Sequence, residues 1–529
     1  MDLPSRPDRR PAAAALLAGL LALPYAFAGR EFYDELTYLG HGLRILDGQV
    51  IYRDFFEFLA PLTSYLAAWL FAATGPSILS ARLLVTLLVA IAAGLLARLA
   101  ARLEVTGAGV LLPGLLVAAV GYSAVPGYSH HWIVLVPTLG ALLAAMSGAD
   151  DDAPPWTPWL AAGACAGVAC LTMQSDGLAL AGALGGWLVL EGLFGPTPAT
   201  TLARRAAGLA AGALAVVAPA FGYLAWQQAL GAAYTDTWWW THAHYRIPGG
   251  LNDVYYMVDL PTLVPTLDPH FRLWRWYVNA GVVLGVLWLP VALAGLSAVR
   301  LAMLVRARRQ GERWTPATAR LALVALASLA VLAVLVRGRA DFAHDLYYMP
   351  LPWLYATALA WRLGRRLQAE PPLPWLGAAA LVGFGLAGLL LAGAAMADDP
   401  ALRPRAGGID AAFRRDPVVR YLHEHARPGD RMAAFPYGGE FYLYGGVRPA
   451  TRFTFMLLPG EGYYDQADYD TFWGQVRTTH PRFLLITPVH PQDVAGKPPV
   501  DGYALATVIH GEWAGGRRRT YVYEAAATP

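Results

Sequence analysis

Residues 82–100 of the chain read RLLVTLLVAIAAGLLARLA. The run is apolar over about 20 residues, and a helix of that length crosses the hydrocarbon core of a bilayer. Similar runs recur along most of the sequence, which predicts a polytopic, mostly α-helical membrane protein with about eleven transmembrane helices. They lie at about 12–28, 82–100, 107–123, 131–147, 158–174, 177–194, 206–229, 276–299, 319–336, 346–363 and 374–396.

The composition supports the same class. The 529 residues are 56% hydrophobic and 15% charged, and their mean hydropathy is +0.40. Soluble domains are about one quarter charged, so an ordinary cytosolic enzyme is excluded. The net charge of +3 gives no sign of nucleic-acid binding. Cys165 and Cys170 both lie inside an apolar run, so they indicate neither a disulfide framework nor a zinc finger.

The arginines predict the orientation, because positive residues favour cytoplasmic loops. Residues 6–10 are basic and precede the first span, which lacks a clear cleavage site, so we expect an uncleaved span with a cytoplasmic N-terminus. The segment 59–74 is apolar but short, and we interpret it as a helix at the outer surface; a twelfth crossing is the alternative. With this alternation the arginine clusters all fall inside: Arg98, Arg102, Arg204, Arg205, Arg300, Arg306, Arg308, Arg309, Arg313, Arg362, Arg365 and Arg366.

Three segments are then left outside the membrane, namely residues 30–80, 231–275 and 397–529. Residues 1–396 form the predicted membrane domain. The tail 397–529 has no span-length apolar run, and we expect a small soluble α/β domain there. In the tail, residues 416–425 favour a helix, and residues 431–435, 483–487, 503–510 and 520–524 favour strands.

The first outer segment opens with REFYDELTY at residues 30–38. The spacing of Leu36, Leu39, Leu43 and Leu46 predicts a short amphipathic helix that starts near Asp34 and lies on the membrane. A carboxylate in the first turn of a helix is favoured by the free N–H groups there, so Asp34 could simply be an N-cap. The alternative hypothesis is a general base at the lipid boundary.

An Asp-Glu pair after a first span, followed by ILDGQVIYRDF at residues 45–55, resembles the GT-C-fold glycosyltransferases. The nearest subgroup contains the protein O-mannosyltransferases and the aminoarabinose transferases. SARL at residues 80–83 and RPATRF at residues 448–453 are further similarities. The resemblance implies sugar transfer from a polyprenyl phosphate to an acceptor hydroxyl at the outer face of the membrane. The near absence of lysine, with only Lys497, indicates arginine-favouring, GC-rich coding and favours a bacterial inner membrane. It implies Asp34 as the base and Glu35 as a supporting carboxylate.

The leaving group of such a reaction is a lipid phosphate, which cationic side chains would stabilise. The candidates for the donor phosphate are Arg53, His130, His131, Arg246, Arg337, Arg339 and His344. The candidates for substrate contacts are Tyr38, Glu57, Gln174, Asp176, His242 and His244. Each is equally compatible with an interfacial or loop residue. We predict no cofactor and no metal site, although a divalent ion is not excluded. The expected partners are the polyprenyl-phosphate-linked sugar, membrane lipids and a glycan, lipid or protein acceptor, without nucleic acid.

Two positions depart from the related aminoarabinose transferases. Those enzymes have an Asp in the outer loop after the third span and a Lys at the outer end of the fifth. This chain has YSHH at residues 128–131 and MQSDG at residues 173–177. The missing lysine puts in doubt a donor handled as in those enzymes. A membrane polysaccharide polymerase or ligase, a lipid-linked-sugar transporter and a non-enzymatic receptor stay open as alternatives.

Overall fold

The computed structural model describes residues 8–28, 33–123, 125–149, 156–244, 289–311, 314–337, 342–367, 408–456, 464–488, 500–513 and 516–526. The predicted spans at 276–299 and 374–396 lie partly or wholly outside these ranges. The helices of the described part, before the tail, are α1 Arg10–Ala26, α2 Tyr33–Leu46, α3 Leu62–Thr74, α4 Ile78–Arg102, α5 Gly107–Tyr122, α6 His130–Gly148, α7 Thr157–Thr172, α8 Gln174–Phe194, α9 Ala199–Trp226, α10 Leu230–Tyr234, α11 Thr241–His244, α12 Leu289–Arg309, α13 Pro316–Arg337, α14 Phe342–Tyr348 and α15 Pro350–Leu367.

Among the described residues, α4, α6, α8, α9 and α13 are long and apolar enough to cross a membrane. Four shorter apolar helices are α1, α3, α5 and α7.

Small residues allow the helices to pack closely, as between α7 and α9. A Cβ atom on Gly163 would lie 2.0 Å from the Leu209 carbonyl oxygen, and one on Gly212 would lie 2.0 Å from that of Leu160. Glycine is therefore required at both crossings.

The helix bundle has two chemically different ends. At one end, which we call the loop face, the segment that follows α1 meets the starts of α4 and α8: Arg82 donates to the Ala28 carbonyl at 2.6 Å, and Gln174 binds the backbone of residues 58 and 60. At the other end, the arginine face, Arg365 pairs with Glu104 at 2.9 Å. The ends of α4 and α15, which carry two of the predicted arginine clusters, thus meet at this end, and the assignment of that end to the cytoplasm stays a prediction.

Helix α3 does not cross the bundle. It starts just after Ala60, whose N–H binds Gln174 at the loop face, and it ends just before Ser77, which caps α4 at the same face. Thirteen residues also extend only about 20 Å, less than a bilayer core. The structure favours the short surface helix over a twelfth span.

Helix α2 begins at Tyr33, with Asp34 and Glu35 in its first turn, as the leucine spacing predicted. Its apolar residues meet protein, however. Leu36 packs against Gly439 of the tail, and Gly42 lies against Ala67 and Ala68 of α3. Both α3 and the tail therefore contact α2, because the tail folds back onto the first loop, and the position of α2 relative to the membrane stays a prediction.

The elements of the tail in the described residues are α16 Gly408–Arg414, α17 Pro417–His425, β1 Arg431–Phe435, α18 Gly439–Tyr444, β2 Arg448–Pro449, α19 Gln466–Thr479, β3 Phe483–Ile486, β4 Tyr503–Trp513 and β5 Gly516–Ala525. The strands form a five-stranded mixed sheet in the order β2-β1-β3-β5-β4. Strand β1 pairs in parallel with β2 and β3, whereas β5 pairs antiparallel with β3 and β4. The predicted helix and four predicted strands are confirmed.

The sequence did not predict two features of the tail. Helix α19 begins with a capping box, in which Asp465 accepts the Asp468 N–H and Asp468 reaches back to the Asp465 N–H. Helix α18 places Gly439 directly on α2. Asp410 adds a second contact by accepting hydrogen bonds from the Ile78 N–H and the Ser77 hydroxyl at the start of α4. The tail is thereby anchored to the loop face.

Candidate active site

The two acidic residues at the start of α2 have different surroundings. Asp34 is exposed, whereas Glu35 is only 1% exposed. The Glu35 carboxylate accepts three hydrogen bonds from the fully buried Arg82 guanidinium, at 2.7 to 3.1 Å, and a fourth from the Tyr128 N–H at 2.9 Å. Glu35 therefore ties α2 to α4 and to the connection before α6. The Glu35 carboxylate thus binds protein groups, whereas Asp34 is the exposed member of the Asp-Glu pair.

A cluster of histidines and tyrosines lies at the loop face where α6 begins. The His130 and His131 rings are 4.0 Å apart, and His131 stacks on Tyr347 at 4.3 Å and lies 5.3 Å from His344. Tyr38 of α2 packs edge-on against His130 at 5.4 Å. The structure thus brings together three predicted phosphate ligands and one predicted substrate residue that are far apart in sequence.

A cavity of about 30 Å³ opens beside this cluster. His131 and Asp176 are among its lining residues, and Tyr348 donates its hydroxyl to the Asp176 carboxylate at 3.1 Å. The Nδ1 atoms of His130 and His131 are buried and have no hydrogen-bond partner in the described part of the chain. Buried polar atoms are normally paired, so this region is prepared for a polar ligand.

Other predicted residues are placed apart from this cluster. Gln174 uses its amide on the Phe58 carbonyl and the Ala60 N–H, both at 2.9 Å, and so fixes the first loop. Arg53 is exposed; it pairs with Asp54 at 2.8 Å and donates to the Gln227 carbonyl at 3.1 Å. Arg337 is exposed at the end of α13. Arg246 and Arg339 lie outside the described residues.

The aromatic run near residue 240 belongs to a helical segment with π-helical hydrogen bonding at Thr235–Trp240. His242 is exposed, and its Nδ1 lies 2.7 Å from the Trp238 carbonyl. His244 contacts Asp465 of the tail at 3.0 Å, and this contact lowers the pKa of the Asp465 carboxyl. Trp240 donates to Asp468 at 3.1 Å. The segment therefore docks on the tail through His244 and Trp240.

Two arginines that the sequence did not single out, Arg44 and Arg452, join the tail to α2 and to the segment near residue 240. Arg452 pairs with the buried Asp236 at 2.7 Å and lies over the Phe56 ring. Arg44, also buried, donates to the Thr451 carbonyl at 3.0 Å, and burial lowers its pKa to about 10. In the sequence, Arg452 stands out only as part of the RPATRF motif at residues 448–453. The signal that could have found its role is an acidic residue at position 236, within an otherwise aromatic run.

A pH-dependent stability follows from Asp236. Burial raises its pKa to about 7, although the Arg452 guanidinium acts in the opposite direction. A raised pKa means that the folded state favours the neutral carboxyl, so this group's contribution to stability falls as the pH rises from about 4 to 7. We expect the melting temperature of Asp236→Asn, relative to the native protein, to increase between pH 4 and pH 8. Thermal melting across this range measures it.

The control for that measurement is Asp47→Asn, because Asp47 is exposed and pairs with the exposed Arg448 at 3.4 Å. Its melting temperature should follow that of the native protein at every pH. A relative melting temperature of Asp236→Asn that stays constant or falls with pH would contradict the prediction.

The sequence itself gives no match to a protein-family model and none to a curated protein. Structural comparison does find similar proteins. The chain is similar to ArnT from Cupriavidus metallidurans bound to undecaprenyl phosphate, with a TM-score of 0.59, 15% identity and 98% of each chain covered. The same ArnT in the apo state gives a TM-score of 0.53 with the same coverage.

A second similar protein is the arabinofuranosyltransferase AftD from Mycobacteria, with a TM-score of 0.53 and 14% identity. The match covers 98% of this chain but 40% of AftD. At such identities the likeness establishes the fold alone. The resemblance drawn from the first loop is thereby confirmed at the level of architecture: this chain is a multi-pass helical membrane protein with the GT-C fold of ArnT and AftD.

Proposed function

We propose that the chain is a membrane glycosyltransferase that moves a sugar from a polyprenyl-phosphate donor to an acceptor hydroxyl at the outer face of the cell membrane. One observation carries the proposal: Asp34 and Tyr38 share helix α2, and Tyr38 packs against the cluster of His130, His131 and His344. The likeness to ArnT, whose structure contains undecaprenyl phosphate, supports the donor class.

The reaction assigns a role to each part of this site. The Asp34 carboxylate accepts the proton of the acceptor hydroxyl, and the acceptor oxygen forms a bond to the anomeric carbon of the sugar. The bond from that carbon to the phosphate oxygen breaks, and polyprenyl phosphate leaves with the electron pair. Imidazole N–H groups of the cluster, chiefly from His131 and His344, stabilise the charge that develops on the phosphate.

The remaining candidates support this reaction from the rim of the site. Arg53 and Arg337 are exposed on the loop face and would attract the phosphate of the lipid carrier. Tyr38 and Asp176 line the approach to the histidines and would contact the sugar. In this proposal the loop face and the tail lie outside the cytoplasm, and the arginine face lies inside.

Binding of the carrier phosphate is the direct test of the histidine cluster. We expect His344→Leu in the full-length protein, reconstituted in nanodiscs, to weaken binding of undecaprenyl phosphate about tenfold, because one hydrogen bond to a charged group is lost. Microscale thermophoresis with undecaprenyl phosphate measures the Kd. His425→Leu serves as the control, since His425 is exposed on α17 of the tail. Equal Kd values for the native and His344→Leu proteins would remove the cluster from the donor site.

The transfer itself requires an assay with the native chain. Synthetic undecaprenyl phosphates that carry radiolabelled pentoses or hexoses are offered as donors, and a bacterial envelope extract serves as acceptor. Transfer of label from one of these donors into the acceptor fraction is the expected result. If undecaprenyl phosphate binds but no label leaves any donor, the chain is a binding or transport protein and the proposed function is wrong.

A further inference from the structure

A second small cavity lies between α2, the first loop and the tail, away from the cavity at His131. It has a volume of about 20 Å³, which is room for about one water molecule or one hydroxyl group. The sequence reading had selected one of its residues, Glu57. Its polar lining consists of Thr37, His41, Glu57 and Thr454, and its aromatic lining includes Phe56, Phe455 and Tyr464.

The polar atoms of this cavity are buried but incompletely paired. His41, Glu57 and Thr454 are each at most 3% exposed. The His41 Nδ1 lies 3.1 Å from Glu57 Oε2, whereas the His41 Nε2 and the Thr454 Oγ1 have no hydrogen-bond partner among the described residues. A hydrogen bond from the Leu59 N–H to Oε1, at 2.9 Å, fixes the orientation of the Glu57 carboxylate. Burial of such atoms is unfavourable unless a guest pairs with them.

We propose that this cavity binds a hydroxyl group of a sugar ring and thereby helps to select the sugar. The inference rests on the proposed transferase function. Thr37 and His41 follow Asp34 by three and seven residues, so all three share one side of α2. The cavity is thus about 5–10 Å from the proposed base along the helix axis, about the length of one sugar ring. Aromatic walls with a few convergent polar groups are typical of sites that orient a ligand.

The hydroxyl could belong to the transferred sugar or to the acceptor sugar. Both would accept a hydrogen bond from Thr454 or His41 and donate one to the Glu57 carboxylate. The two sources share one chemistry at the cavity, and kinetics separates them. A larger KM for the lipid-linked donor identifies the transferred sugar, and a larger KM for the acceptor identifies the acceptor.

Thr454→Val is the decisive variant. Valine keeps the methyl group of Thr454 that packs 3.2 Å from the Cβ position of Gly40, and it removes a hydroxyl that has no hydrogen-bond partner in the described part of the chain. Among the described residues no hydrogen bond is lost, and we expect an unchanged or higher melting temperature. The matched control is Thr63→Val, because Thr63 is 1% exposed, its hydroxyl is equally unpaired and it does not line the cavity.

The experiment uses saturation-transfer NMR on the full-length protein in nanodiscs, with a panel of methyl pentosides and methyl hexosides as probes. We expect at least one probe to bind the native protein and Thr63→Val, and to bind Thr454→Val about five- to tenfold more weakly. In the transfer assay the same variant should raise one KM by a similar factor. Equal binding by all three proteins, or no binding by the native protein, would overturn the proposal and leave a cavity that holds only a structural water.

The experiments distinguish an error in the cavity proposal from an error in the proposed transferase function. If the native chain transfers label and Thr454→Val has native KM values, the cavity proposal alone is wrong. If the native chain transfers no label from any donor, the proposed function is wrong regardless of what the methyl glycosides do.

Discussion

The Asp34→Asn variant is expected to lose at least a hundredfold in the rate of sugar transfer while it folds and inserts normally. Positioned general bases contribute about 10²- to 10⁴-fold to such reactions. Asparagine has nearly the same size as aspartate but cannot accept the acceptor proton at neutral pH. Asp34 is exposed, so the fold does not depend on burying its carboxylate. The rate is measured with the undecaprenyl-phosphate-linked donors, and folding is measured by thermal melting.

Asp47→Asn is the matched control, since Asp47 is an exposed aspartate just beyond the other end of α2. It should retain the native rate. Asp34→Glu should recover part of the activity, because it keeps a carboxylate at a slightly different position. Full activity of Asp34→Asn would rule out Asp34 as the base and would favour the polymerase or ligase alternative, in which outer-face arginines act without this carboxylate.

Glu35→Gln is expected to destabilise the protein strongly, by about 3–5 kcal/mol, because it leaves the Arg82 charge buried without its counter-ion. Arg82 is fully buried and donates three hydrogen bonds to this carboxylate, at 2.7 to 3.1 Å. Thermal melting of the purified protein should show a much lower midpoint than that of the native protein. Glu424→Gln, at an exposed glutamate of the tail, is the control and should melt at the native temperature.

The double variant Glu35→Met, Arg82→Met tests the cause of that loss. Replacement of both buried charges by apolar side chains removes the unpaired charge, so the double variant should melt above either single substitution. If Glu35→Gln melts like the native protein, the buried pair does not hold α2 in place. Taken together, neighbouring positions 34 and 35 should thus separate two effects, the first on the rate and the second on stability.

The sequence was most informative about local structure. It predicted the start of α2 within one residue of Asp34 and the four longer strands of the tail, because helix capping and alternating hydrophobicity depend on nearby residues. It did not predict β2, whose two residues carry no periodic signal. It did not predict that α3 and the tail contact α2, since an apolar stripe looks the same whether lipid or another part of the protein covers it.

The candidate site was predicted in part. Selection of polar residues at the predicted outer ends of spans found His130, His131 and His344. The His130 and His131 rings are 4.0 Å apart, and the fold brings His344 to 5.3 Å from His131. The same rule selected Gln174, which instead binds the backbone of the first loop. It missed His41, because a single histidine on a helix gives no signal until the Glu57 carboxylate and the tail enclose it.

By itself, the sequence determined that this protein is built from apolar helices, that clusters of arginines flank several of them and that a mixed α/β tail follows. These features depend on composition and short-range periodicity, which each segment carries alone. Only the tertiary structure decided that Glu35 is enclosed and Asp34 exposed, because the partner of Glu35 is 47 residues away on α4. Burial depends on which distant segments pack together, and adjacent side chains on a helix point in different directions.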